Sequence, residues 1–193
     1  PDAEARRLAW ITLGDDDEND CAACVIGQQV DFFVDNGRFD EAVQLGLTQD
    51  GECNLEPART RYALALALGE TGHPDNALAT WRRARAALDT ATSDFAPARA
   101  HEFELLARGG QLSRALRLLR DDYPQLLDAA ESPHFHLRFL LGLAAGLSAN
   151  LDAPDEPTGL GDLAPSVGAL HALVLQRLRP LVEAFDARDG NDF

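Results

Sequence analysis

The stretch TGHPDNAL, residues 71–78, decides the fold. Gly72 suits the left-handed conformation that ends a helix, a short polar turn follows, and a new helix begins with the small residue Ala77 facing inward. The same grammar recurs upstream in NGRFDEAV (36–43) and downstream in GGQLSRAL (109–116). Ala42, Ala77 and Ala115 are separated by 35 and 38 residues. A period in the mid-thirties built from helix, turn and helix is the mark of an α-solenoid.

Helical periodicity extends outward from these turns, and strand alternation is nearly absent. Phe39, Ala42, Val43, Gly46 and Leu47 recur at helical spacing, as do Leu78, Trp81, Arg85 and Leu88, and Leu112, Ala115, Leu116 and Leu119. Residues 3–13 read as a short helix, and residues 134–149 as a helix apolar on most sides and hence buried. Leu170, Leu173, Val174, Leu178, Leu181, Val182 and Phe185 draw the cleanest stripe, which Pro180 should kink or split. Residues 14–20 read as an acidic linker, and DAPDEPTGLGDLAP (152–165) as a long mobile loop.

These residues resemble the tetratricopeptide repeat family. Its pattern sets a small or apolar pair in a first helix, Gly at the turn, then Ala, an aromatic and Ala in the second. The middle repeat carries Leu64, Ala65, Gly72, Ala77, Trp81 and Ala84. The first has Val30, Phe33, Gly37 and Ala42, with Gly46 in place of the aromatic, and the third has Leu106, Gly110, Ala115 and Leu119. The resemblance covers about residues 21–125 and departs from the family's period of about 34 residues. It implies an all-α, right-handed superhelical stack of antiparallel helix pairs, with residues 1–193 forming a single repeat domain.

Composition narrows the function. The net charge is −15, all 17 basic residues are Arg, and Asp outnumbers Glu by 21 to 11. Without a basic stripe, such a surface repels nucleic acid. The longest apolar run, Phe139 to Leu151, is too short to span a bilayer. Three cysteines make no secreted disulfide framework and point to a reducing compartment, the cytoplasm. The chain has no Met, which is read as an excerpt of a longer protein. No phosphate-binding Gly loop, H-E-x-x-H or G-x-S-x-G is present, so the expectation is a non-catalytic protein.

Chemistry concentrates in DDDENDCAACVIGQQVDFF, residues 15–33. Asp15, Asp17 and Asn19 match the first ligands of a calcium loop, but Asp20 replaces its Gly and Ile26 its bidentate Glu. Asn19 or Asp20 is expected to cap the helix that starts near Cys21, with further acids favouring its positive end. Cys21 and Cys24 fall on one face of that helix's first turn, and Cys53 precedes the first helix of the next repeat. In a stack of helix pairs those starts share one end, so all three sulfurs can converge. Three alternatives stand: helix packing, a structural metal site such as zinc with Asp17 or Asp20 as a fourth ligand, or a redox pair. His73 is excluded as a ligand because it lies at the opposite end of the stack.

The family resemblance further implies a concave groove lined by the first helices. It assigns partner contacts to Asp31, Val34 and Asp35, then Arg59, Tyr62, Leu66 and Glu70, then His101, Glu104 and Arg108. Tyr62 and Leu66, one helical turn apart, suit an apolar anchor pocket. The expected partner is a basic or amphipathic protein or peptide. The alternative function is a metal- or redox-responsive regulatory domain using Cys21, Cys24 and Cys53.

Overall fold

The structure is a computed structural model that describes residues 2–13, 21–87, 95–130 and 132–189. Regular structure among the described residues is helical, apart from one isolated antiparallel bridge, Pro157 to Ser166. The chain divides into two compact units, Pro1–Leu88 and Asp89–Phe193.

The first unit contains α1 (Asp2–Ile11), α2 (Ala22–Asp35), α3 (Phe39–Gly46), α4 (Ala58–Glu70) and α5 (Pro74–Ala87). Helix α2 packs on α3 and on α4, and α4 packs on α5. The α2–α3 turn is a Schellman cap. Gly37 takes φ 68°, its N–H donates to Val34 O at 3.0 Å, and Arg38 N–H donates to Phe33 O at 2.8 Å. The α4–α5 turn repeats it, with Gly72 at φ 80° and His73 N–H on Leu68 O at 2.8 Å. In both turns the residue after the glycine also starts the next helix. Its carbonyl accepts from the buried alanine four residues on, Ala42 or Ala77.

The aromatic expected at position 46 is absent for a packing reason. A Cβ on Gly46 would meet Leu64 Cδ1 at 3.1 Å, so Leu64 of α4 occupies the space beside it. In the next hairpin Trp81 is itself in the core, 1% exposed. Helix α1 is tied down by charge: Glu4 accepts from Arg7 and from Arg38, and the Arg7 guanidinium also lies 4.9 Å from the Phe33 ring centre.

The second unit contains α6 (Ala96–Arg108), α7 (Leu112–Asp122), α8 (Pro133–Ser148) and α9 (Val167–Asp189). The α6–α7 turn is built like the other two, with Gly110 at φ 73° and Gln111 N–H on Leu106 O at 2.8 Å. Helix α8 lies close along α6, because a Cβ on Gly142 would stand 2.7 Å from Ala100 Cβ. Between α8 and α9 the chain turns back on itself. Thr158 Oγ1 donates to Ala164 O, and Gly168 N–H donates to Pro154 O at 2.8 Å. Helix α9 runs through Pro180 as one assigned helix and is not split there. No helix among the described residues is long and apolar enough to cross a membrane.

Candidate metal centre

Helix α2 begins at Ala22, which makes Cys21 its N-cap. Cys21 has extended backbone, and its Sγ accepts a hydrogen bond from Cys24 N–H at 3.3 Å. The cap expected of Asn19 or Asp20 is therefore a cysteine sulfur. Those two residues, with the rest of the acidic run 14–20 and its calcium-like Asp15 and Asp17, lie outside the described residues. Cys24, one turn into α2, is buried.

The third sulfur comes from the segment between α3 and α4, which is fastened to the start of α2. Gln49 Nε2 donates to Ala23 O at 2.7 Å and to Thr60 Oγ1 at 3.3 Å. Gly51 passes so near α2 that a Cβ there would sit 2.9 Å from Ala23 Cβ. Cys53 N–H donates to Glu56 O at 3.0 Å, fixing Cys53 to the entry of α4.

Glu56 anchors that entry. Its buried carboxylate accepts from Arg59 Nε at 2.9 Å, Thr60 N–H at 3.0 Å and Thr60 Oγ1 at 2.7 Å. It satisfies an orphan N–H at the start of α4 and places negative charge at the positive end of that helix. Burying a carboxylate is tolerable only with such partners.

The result is a cluster of Cys21, Cys24 and Cys53 whose Sγ atoms all lie within 4.8 Å of one another. Cys24 Sγ and Cys53 Sγ are 3.6 Å apart. All three are free thiols, Cys24 buried and the other two exposed. A tetrahedral ion with Zn–S bonds near 2.3 Å needs sulfurs about 3.8 Å apart. The cluster therefore needs only small movements to hold a metal ion.

The thiols differ electrostatically. Burial pushes Cys24 up to about 12, and the Cys21 and Cys53 sulfurs beside it add to the rise. Cys53 moves down, chiefly because Leu55 N–H points at its Sγ from 3.5 Å. Metal binding must displace the thiol protons, so affinity at this site rises with pH.

The residues assigned to a groove are placed differently from one another. Asp31, Val34, Tyr62 and Leu66 are buried, the last two 1% and 2% exposed. His101 is buried as well. Arg59, Glu70 and Glu104 are half-buried, and Asp35 and Arg108 are exposed, with Arg108 Nη1 on Glu104 Oε1 at 2.8 Å. Arg59 is committed to Glu56.

Sequence reasoning missed Glu56, Gln49 and Thr60, which set the cluster's frame. The spacing of Glu56 to Arg59 and Thr60, three and four residues on, was the available signal. A cleft of about 550 Å³ in the second unit was also missed. It is lined by His136, Arg177 and the apolar Leu173, Pro180 and Leu181, but Arg177 already pairs with Asp128 at 2.7 Å.

Comparison with protein-family models, curated proteins and solved structures finds no match.

Proposed function

We propose that this chain is a helical regulatory domain organised round a thiolate metal centre, in which Cys21, Cys24 and Cys53 hold zinc. The convergence of three free sulfurs within 4.8 Å, from segments 29 residues apart, carries this reading. Thiolate donors select soft or borderline ions such as zinc or copper(I) over magnesium or calcium. Exposed Cys21 and Cys53 leave room for a fourth ligand, either water or an acidic side chain of the 14–20 linker such as Asp17 or Asp20. Zinc there would tie the first turn of α2 to the entry of α4. A reducing compartment such as the cytoplasm suits three free thiols. Elemental analysis of protein purified without chelator tests the reading. About one zinc per chain is expected, and its absence after zinc-replete expression and reduction counts against it.

A second reading rests on a separate observation. Three Schellman turns at Gly37, Gly72 and Gly110, each followed by a buried alanine, support a solenoid of tetratricopeptide type. Such a module would be non-catalytic and bind a protein or peptide. With a net charge of −15 it favours a basic or amphipathic partner. Of the residues the resemblance assigns to partner contact in the first unit, Asp35 is exposed and Glu70 is half-buried. Charge reversal at Asp35 and Glu70 should weaken capture of a basic amphipathic peptide. Full retention would argue against that surface.

A further inference from the structure

We propose that the cluster is also a peroxide sensor, in which Cys53 is the attacking sulfur and Cys24 closes a disulfide with it. The C-x-x-C spacing would nominate Cys21 and Cys24 as the redox pair, but the geometry selects another. Cys21 Sγ accepts the helix-cap bond from Cys24 N–H at 3.3 Å and Cys53 Sγ a longer one from Leu55 N–H at 3.5 Å, and Cys24 Sγ lies 3.6 Å from Cys53 Sγ. That approach is van der Waals contact, and a disulfide bond of about 2.05 Å needs a further approach of about 1.5 Å. The travel falls to Cys53, which sits on a non-helical segment while Cys24 is fixed in α2. Exposure assigns the order of events. An oxidant from solvent reaches exposed Cys53 before buried Cys24.

The chemistry balances with hydrogen peroxide as the only added reagent. The Cys53 sulfur, as thiolate, attacks one peroxide oxygen. The O–O bond breaks, and the departing hydroxide takes a proton to become water, leaving Cys53 as a sulfenic acid. The Cys24 sulfur then attacks the Cys53 sulfur. The S–O bond breaks, and the leaving hydroxide takes the Cys24 proton as a second water. Two thiols have lost two electrons in all, and one peroxide has become two waters. Cys21 keeps its thiol. One consequence rests on the metal reading of the same site: a zinc ion held by the three sulfurs loses two of its ligands and is released.

The test treats reduced, metal-free protein with peroxide, alkylates the remaining thiols and maps the peptides without reduction. A single Cys24–Cys53 disulfide with Cys21 alkylated is the expected result. Cys21→Ser should form that disulfide as wild type does. Cys24→Ser should accumulate a Cys53 sulfenic acid that dimedone traps, and Cys53→Ser should form no disulfide. A Cys21–Cys24 disulfide, no disulfide, or an unchanged disulfide yield in Cys53→Ser overturns the proposal. A parallel arm uses zinc-loaded protein and reads free zinc with a colorimetric chelator. Release should keep step with the loss of two thiols, and oxidation without release overturns the coupling. If the reduced protein takes up no zinc, the metal reading fails by itself, and the metal-free arm still decides the disulfide.

Discussion

The carboxylate of Glu56 occupies the space that a side chain on Gly27 would need: a Cβ on Gly27 would stand 2.3 Å from Glu56 Oε1 and 2.7 Å from Thr60 Oγ1. The glycine lets α2 and the entry of α4 close on a buried charged group. Because Cys53 N–H is bonded to the Glu56 carbonyl, this contact also sets where the third sulfur lies.

Gly27→Ala should therefore overpack this contact and destabilise the protein by about 1–3 kcal/mol in urea unfolding. It should also weaken metal uptake, since the entry of α4 must shift. Equal stability and equal uptake would show that the contact does not position the site.

Glu56→Ala should cost more, about 3–5 kcal/mol, because it leaves Arg59 without its buried partner and removes the bonds to Thr60. Glu56→Gln keeps the shape and an acceptor and should lose less. Chemical denaturation of the two variants side by side checks the order.

The three repeated turns make a separate prediction. A Cβ at Gly37, Gly72 or Gly110 would meet nothing within 4 Å, so alanine there is penalised by backbone conformation alone. Each substitution should cost about 1–2 kcal/mol, and the three values should be alike. Widely different costs would contradict a common turn.

The attachment of α1 should depend on acid. Hydrogen bonds from Arg7, then Arg38, hold the Glu4 carboxyl down to about 2. A carboxylate depressed in the folded state stabilises fully above its unfolded value, about 4.3, and the contribution is lost as pH falls through about 2. Protection factors of α1 amides, taken against the intrinsic exchange rate at each pH, should fall between pH 4 and 2, and Glu4→Gln should flatten that change. Protection that grows as pH falls would contradict it.

The turns were legible because their cause is local: a glycine at positive φ and an alanine five residues on leave the same mark wherever they occur. Convergence of Cys53 on Cys21 and Cys24 was legible for the same reason, since like-built hairpins bring helix starts to one end. Tyr62 and Leu66 show where local reading stops. Spaced one turn apart, they suggested an apolar anchor pocket on a groove, and every residue from Tyr62 to Leu68 is buried. The run YALALAL is apolar on all faces of a helix, the pattern of a helix enclosed by neighbours and not of a groove wall. Glu56 beneath Gly27 was not legible, because that contact depends on how closely two helices approach, which no spacing along the chain records.

A cobalt(II) titration of the reduced protein asks whether Cys21, Cys24 and Cys53 act as one metal site, as proposed. Thiolate coordination gives cobalt an intense sulfur-to-metal absorption, so the titration counts ions and identifies donors together. Saturation at one equivalent per chain, displacement by zinc, and loss or marked weakening of the band in each of Cys21→Ser, Cys24→Ser and Cys53→Ser are expected. Absence of the band, or a band that survives unchanged in Cys53→Ser, would contradict the proposed site.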